Sequence, residues 1–530
     1  MYNPSIDNAE STSPSWYRQA LAGFREKATV ANLVGLAAAV LALLCLFALP
    51  KSQYWNIRLP LYLLITVWTL LRPRIALYLF PFAIPWGSLD TIKLGVSLTS
   101  ADILVGLLAV SWLLSFALRP LVPAYARHQG PLDREGYNAP PYLALTILFL
   151  LLAMLASTTV ALSLSASLKE IVKWLELAVV VLLGAQYIRT RQQIWTLVVI
   201  LCLAAITQAC YGYAQAFFNL GPTSFVRDSS LRVYSTFGQP NPYAGYLNMT
   251  LMITLALTLL GGSWTIRFLA GITTAILAGV EILTQSKGGW LAAIVAILFI
   301  IVVGFPHFRK LMAVVGVAFL AFIEAALSGK IPARFYQSLL VRIGVVGISF
   351  TAPSPDNYAN SERVAHWFAG IQMFLDHPFL GVGIGNYEPA YPPYAPGIFI
   401  IPLGHAHNYF INIAAEAGLF GLLAFVLFII AVFVVGGRTI RTLHKRSQKL
   451  RLQIMHAALK KDNPSVSPLV KQDALRRLSI LVSDRALAIG LVAALLSVSV
   501  HNLVDNLYVH SMTILFALLL VLLLSLDRVA

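Results

Sequence analysis

Arg232, Lys287, Arg363 and the pair His405 and His407 are the residues of this 530-residue chain whose types could do chemistry together. The densest polar stretch runs from Asn360 to Tyr387 and on through Gly404-His-Ala-His-Asn-Tyr-Phe410, gathering an Arg, several His, a carboxylate, Gly-rich turns and aromatics. Arg232 precedes a turn-rich segment ending at Tyr246, and Lys287 stands beside Gly288 and Gly289 next to an apolar run. Fixed cations neutralise and orient a diphosphate, Arg in bidentate fashion, while a neutral imidazole accepts a proton from an attacking hydroxyl. A diphosphate on a lipid would supply the anion, the reason to work at a membrane surface and the energy of the reaction. Plainer uses exist. Arg232 and Lys287 could snorkel to lipid head groups, and His-Ala-His could make interfacial hydrogen bonds or a metal pair. A zinc site needs a third ligand, and neither an HExxH pattern nor a Cys pair supplies one, so no metal is expected.

The elements that must position these groups are apolar helices. The chain is 58% hydrophobic and only 11% charged, against about 25% charged in a soluble domain. Continuous apolar runs of about 20 residues read as membrane-crossing helices, and their lack of alternation excludes a closed barrel. The expected fold class is all-α and polytopic, with about 12–14 transmembrane helices. Spans are expected near residues 30–49, 57–71, 74–88, 100–118, 141–163, 168–188, 193–219, 242–262, 266–284, 288–304, 311–328, 411–435, 481–500 and 507–526. The second and third are short, interrupted by Arg72-Pro73-Arg74 and by Pro81 and Pro85.

A net charge of +16 would suggest nucleic acid for a soluble protein; here Lys and Arg collect in short loops, as a positive-inside topology requires, and no nucleic-acid partner is expected. The basic cluster from Arg438 to Arg477 should be cytoplasmic, and counting spans puts Arg189, Arg191, Arg309 and Lys310 on the same side. The expected organisation is a cytoplasmic segment 1–29, a first transmembrane bundle 30–328, an external loop 329–410, a helix 411–435, a basic cytoplasmic loop 436–480 and C-terminal helices 481–530, with both termini cytoplasmic. The first span reads as an uncleaved anchor. Cys45, Cys202 and Cys210 fall in apolar runs and form no disulfide or metal pattern. The loop from Gly221 to Asn241, the turn at Gln285–Gly289 and the segment from Ser328 to Phe410 then share the outer face. Within the last, an amphipathic helix is expected, capped by Asn360 or Ser361, with an apolar stripe through Val364, Trp367, Phe368 and Ile371 and a stop at Asp376-His-Pro378. Gly381-Val-Gly-Ile-Gly385 is not a dinucleotide fingerprint, and its glycines should make turns of close approach.

Five groups of residues together resemble the O-antigen ligase family, a superfamily that also holds O-antigen polymerases and protein O-oligosaccharyltransferases. They are Arg232-x5-Gly238-Gln-Pro-Asn241-x2-Ala244-x-Tyr246-Leu247, Ser286-Lys-Gly-Gly-Trp-Leu291, Ser361-x-Arg363-x3-Trp367, Asp376-His-Pro-x2-Gly-Val-Gly-x-Gly-Asn386-Tyr387, and His405-x-His407-Asn408-x3-Asn412-x3-Glu416-x-Gly418. The resemblance implies a GT-C-type membrane glycosyltransferase of the bacterial cytoplasmic (inner) membrane. Such an enzyme passes a glycan from undecaprenyl pyrophosphate to an acceptor hydroxyl on a lipid, glycan or protein at the outer face, with inversion and without cofactor or metal. By the same resemblance Arg232 and Arg363 would hold the pyrophosphate, with Lys287 at a position where the family commonly has Arg. His407 would be the base, with His405 the second choice, and Asn241, Asn386, Tyr387 and Asn408 would shape the site. The competing reading is a transporter of a small anion such as bicarbonate, or of a lipid-linked sugar. It would run through Glu170, Lys173, Glu176, Glu281 and the pair His501 and Asp505, with Lys173 and Glu176 able to satisfy one another.

Overall fold

The computed structural model describes residues 35–48, 54–94, 96–117, 139–227, 230–332, 336, 346–459 and 468–529. The expected segment 1–29 lies outside them. In chain order the helices are α1 (Gly35–Ala48), α2 (Trp55–Leu71), α3 (Arg74–Trp86), α4 (Ser100–Ala117), α5 (Pro141–Ser157), α6 (Leu164–Tyr187), α7 (Arg191–Phe218), α8 (Pro240–Leu260), α9 (Trp264–Leu283), α10 (Lys287–Gly304), α11 (Arg309–Leu327), α12 (Tyr358–Asp376), α13 (Tyr409–Leu459), α14 (Pro468–His501) and α15 (Met512–Val529). Two short antiparallel ribbons, Ile92–Leu94 with Val96–Leu98 and Val226–Arg227 with Ser230–Leu231, are the strands among the described residues.

The fold is therefore all-α, and among the described residues ten helices are long and apolar enough to cross a membrane. The other four expected spans differ for physical reasons. Helices α1 and α2 are shorter apolar pieces, α3 has 13 residues and continues through Pro81 and Pro85, and α6 carries Lys169, Glu170, Lys173 and Glu176. Local chemistry sets many of the starts. The hydroxyls of Ser163, Thr190, Ser263 and Ser286 accept the orphan backbone N–H groups of α6, α7, α9 and α10, and proline opens α5 and α8 where no donor is needed.

Helix α15 is the centre of the bundle, with Met512 to Leu526 all buried. Helix α8 is nearly as enclosed, whereas α11 has no buried residue. Between α6, α13 and α15 an aromatic knot of Trp174, Tyr409, Phe425 and Tyr508, with ring centroids 4.6–6.0 Å apart, closes the bundle beneath the polar end.

Helix α12 lies among the connections at that end. It begins at Tyr358, earlier than the expected cap at Asn360 or Ser361, and Asn357 precedes it without a side-chain cap. It stops at Asp376 as its sequence demands. Its buried face is Ser361, Ala365, His366, Ala369, Gly370 and Met373, with the Ser, Ala and Gly positions allowing close packing, while Phe368, Ile371 and Leu375 face outward. The glycine turn that follows docks on α13: Val382 and Gly383 donate their N–H groups to the carbonyls of Ala415 and Glu416 at 2.9 and 3.0 Å. Gly381 has φ +68°, and a Cβ there would lie 2.3 Å from the Glu416 carbonyl carbon, so backbone meets backbone. The segment 436–480 is helical over 436–459 and 468–480, because α13 and α14 run on past their apolar parts as a basic hairpin.

Candidate functional site

The turn after α14 brings distant residues together. Asp505 is buried, and its Oδ2 accepts from Asn241 Nδ2 at 2.7 Å. Asn241, in the first turn of α8, accepts on its own oxygen from Arg232 at 3.4 Å and from Ser286 Oγ at 3.0 Å. Arg232 also donates to the Thr284 carbonyl at 3.2 Å. On the other side of Asp505, Oδ1 lies 3.5 Å from His407 Nδ1. A continuous polar chain thus joins Arg232, Asn241, Asp505 and His407, drawn from three stretches widely separated in sequence: the entry to α8, the segment before α13 and the turn after α14.

Lys287 is exposed at the first position of α10, directly after Ser286, whose hydroxyl caps the helix through Gly289 N–H at 3.2 Å. The start of α10 packs on His501: a Cβ on Gly288 would come within 2.9 Å of its Nε2. Arg363 is half-buried on α12 and within electrostatic reach of Glu362 and His501. Burial raises the Glu362 carboxyl above its ordinary range, against the pull of His407 and Arg363. All three expected cations therefore stand at the end of the bundle that holds His407.

The two histidines of the His-Ala-His segment are not equivalent. His407 N–H donates to His405 Nδ1 at 3.0 Å, so in neutral His405 that nitrogen is the unprotonated one and Nε2 carries the hydrogen. Burial, then the charge of His407, lowers His405 to about 4, which keeps it neutral. His407 sits in the left-handed region at φ +52°, with its carbonyl accepting from Trp367 Nε1 at 3.0 Å. Its Nδ1 faces Asp505. The 3.5 Å separation is an ion-pair contact and is longer than a hydrogen bond. A carboxylate there favours the proton on Nδ1 and leaves the lone pair on Nε2. Although burial alone would raise Asp505, the imidazoles of His407, His405 and His501 hold it well below the usual carboxylate range.

The remaining expected residues hold the frame. Asn408 caps α13, its oxygen accepting from Phe410 and Ile411 N–H at 2.9 and 3.2 Å. Asn386 is buried and pins the glycine turn to α6 through Ser163 and Ser167, apart from the Arg232–His407 chain. Tyr387 donates to the His366 carbonyl at 2.8 Å and accepts from His366 Nδ1 at 3.2 Å, which fixes that ring's proton on Nδ1. The His366 ring stands edge-on to His407, with centroids 5.6 Å apart. Burial, then His407, lowers it to about 4.

Sequence reasoning reads Asp505, with His501, as part of a transport path or as a structural residue near the outer interface, and does not single out His366. The signal for Asp505 was His501-Asn-Leu-Val-Asp-Asn506, a polar turn between two apolar runs. The ground for expecting no metal also shifts: the donor atoms of His405, His407 and Asp505 all lie within 4.8 Å of one another, so a third ligand type is present in space. Lys173 pairs with Glu170 at 2.6 Å and donates to the Tyr508 carbonyl at 2.9 Å, in place of the expected pairing with Glu176.

Residues 272–426 match the O-antigen ligase family model. The match takes in Lys287, Arg363, Asn386, Tyr387, His405, His407 and Asn408, and the resemblance read from the motifs holds over that stretch. Arg232, Asn241 and Asp505 lie outside it and are joined to it by the hydrogen-bonded chain above. No curated protein sequence matches the chain.

Proposed function

We propose that the protein is a membrane glycosyltransferase that moves a glycan from undecaprenyl pyrophosphate to an acceptor hydroxyl at the outer face of the bacterial cytoplasmic membrane. The observation that carries this reading is the chain from Arg232 through Asn241 and Asp505 to His407, which sets a cation for the leaving group and a base for the nucleophile in one site.

His407 Nε2 takes the proton of the acceptor hydroxyl, and the oxygen attacks the anomeric carbon from the face opposite the diphosphate. The bond from that carbon to the diphosphate oxygen breaks, its electron pair leaves with undecaprenyl diphosphate, and the anomeric centre inverts. Asp505 stabilises the imidazolium that forms, and Arg232, Lys287 and Arg363 offset the charge growing on the leaving group. Lys287 contributes a point charge without the guanidinium fork. No step calls for ATP or a metal.

The reading is tested by reconstituting the full chain in liposomes with a lipid-diphosphate oligosaccharide and candidate acceptors, without ATP or divalent metal. Release of undecaprenyl diphosphate with the glycan on a second molecule is the expected result. A longer glycan on the lipid identifies a polymerase, and a glycan on a different lipid or protein identifies a ligase. Intact donor with every acceptor, from protein that remains folded, overturns the proposal.

A further inference from the structure

The base and its carboxylate are also, with His405, a set of metal donors. We infer that His405, His407 and Asp505 bind a borderline transition-metal dication, Zn2+ foremost, and that its binding switches the site off; the switching half rests on the function proposed above, the binding half does not.

Two imidazoles and a carboxylate are the donor set of three-ligand zinc sites that keep an open position. The hard cations Mg2+ and Ca2+ prefer oxygen shells, which this cluster lacks. The donor atoms lie within 4.8 Å of one another, and the His405 and His407 rings meet edge to face with centroids 4.5 Å apart. Donors around a tetrahedral zinc are about 3.3 Å apart, given bonds of about 2.0–2.1 Å. Binding the ion requires the two rings to rotate until that difference is closed.

An independent observation points to the same place. His407 Nδ1 is shut off from solvent and makes no hydrogen bond among the described residues. Neither ring nitrogen of His501 makes one, although that side chain is 1% exposed and lies within electrostatic reach of Asp505. Buried polar groups are normally paired, and a group of unpaired nitrogens around one carboxylate suits an ion or an ion-bound water as the partner. Two costs oppose the ion. Coordination through His405 Nε2 moves its proton and gives up the hydrogen bond from His407 N–H, and the cations Arg232, Lys287 and Arg363 repel a dication. Both place the affinity below that of a structural zinc site.

The chemical consequence follows from the tautomer. A metal on His407 Nδ1 leaves the ring's hydrogen on Nε2, and a metal on Nε2 occupies the lone pair itself. In either case the nitrogen that should accept the hydroxyl proton is lost.

The test uses tag-free full chain in nanodiscs, stripped with chelator and titrated with ZnCl2 and, separately, MgCl2, with heat of binding and zinc X-ray absorption as readouts. One zinc per chain in an N/O shell, no response to Mg2+, and at least tenfold weaker binding in His405→Ala and in Asp505→Asn are expected. Thermal midpoints show that each variant is folded. Absence of stoichiometric binding, or equal affinity in both variants, overturns the inference while leaving the transferase reading standing. In the transfer assay zinc should abolish turnover and chelator restore it. Variant-sensitive binding with undiminished transfer overturns the switch and contradicts His407 as the base. Variant-sensitive binding in protein that transfers nothing from any donor supports the metal site and overturns the transferase reading.

Discussion

At the scale of single residues the account turns on where protons sit. His405 and His366 are both held near 4 by burial and by the neighbouring charge of His407, whereas an unfolded imidazole titrates near 6.5. Between those values the unfolded chain binds more protons than the native one, so stability is lost as pH falls from about 6.5 to about 4 and is level above about 7. Hydrogen exchange in α12, corrected for the intrinsic rate, should therefore quicken over that window; protection that does not change with pH would contradict the neutral, buried assignment. Arg363, His405 and His407 were legible in the sequence because charged and imidazole groups are rare in so apolar a chain. Asp505 was not, since a carboxylate at the end of a helix reads equally well as an interfacial residue, and only the fold shows which imidazole it faces.

Among the elements, the connection between α12 and α13, which carries His407, is packed back on α13. At Gly418 the helix breaks its geometry, with φ +63° and ψ −160°, and the Leu419 N–H reaches the Pro378 carbonyl at 2.7 Å. A Cβ at Gly418 would lie 2.2 Å from the Phe379 carbonyl carbon. Gly418→Ala should destabilise the protein by more than about 1 kcal/mol, and it should slow transfer without altering membrane insertion. A thermal midpoint unchanged from wild type would show that the join is not strained as described. The glycines between 381 and 385 announced close approach in the sequence, but not that the partners are the backbone of α13 at Gly381 and of Ala161 and Ala166, before and within α6, at Gly383 and Gly385. The helices themselves were easy to read, since 20-residue apolar runs leave few alternatives. The basic stretch 436–459 was not, because its polarity suggests a loop while its Leu, Ile and Met spacing lets α13 continue.

For the whole molecule the central matter is sidedness. The site residues Arg232, Asn241, Lys287, Arg363, His407 and Asp505 stand at one end of the helices, while Arg191, paired with Asp484, and the basic hairpin stand at the other. On the positive-inside rule we propose that the hairpin is cytoplasmic and the site external. In a background with Cys45, Cys202 and Cys210 replaced, Gly404→Cys should react with an impermeant thiol reagent from outside intact cells and Gln448→Cys only after permeabilisation; the reverse pattern would place the chemistry on the wrong face for the proposed donor. The most direct test of the account is the transfer rate of His407→Ala in proteoliposomes, with insertion and thermal midpoint matched to wild type. Loss of a positioned general base should lower the rate by about 10²–10⁴-fold. A rate within threefold of wild type would contradict the account.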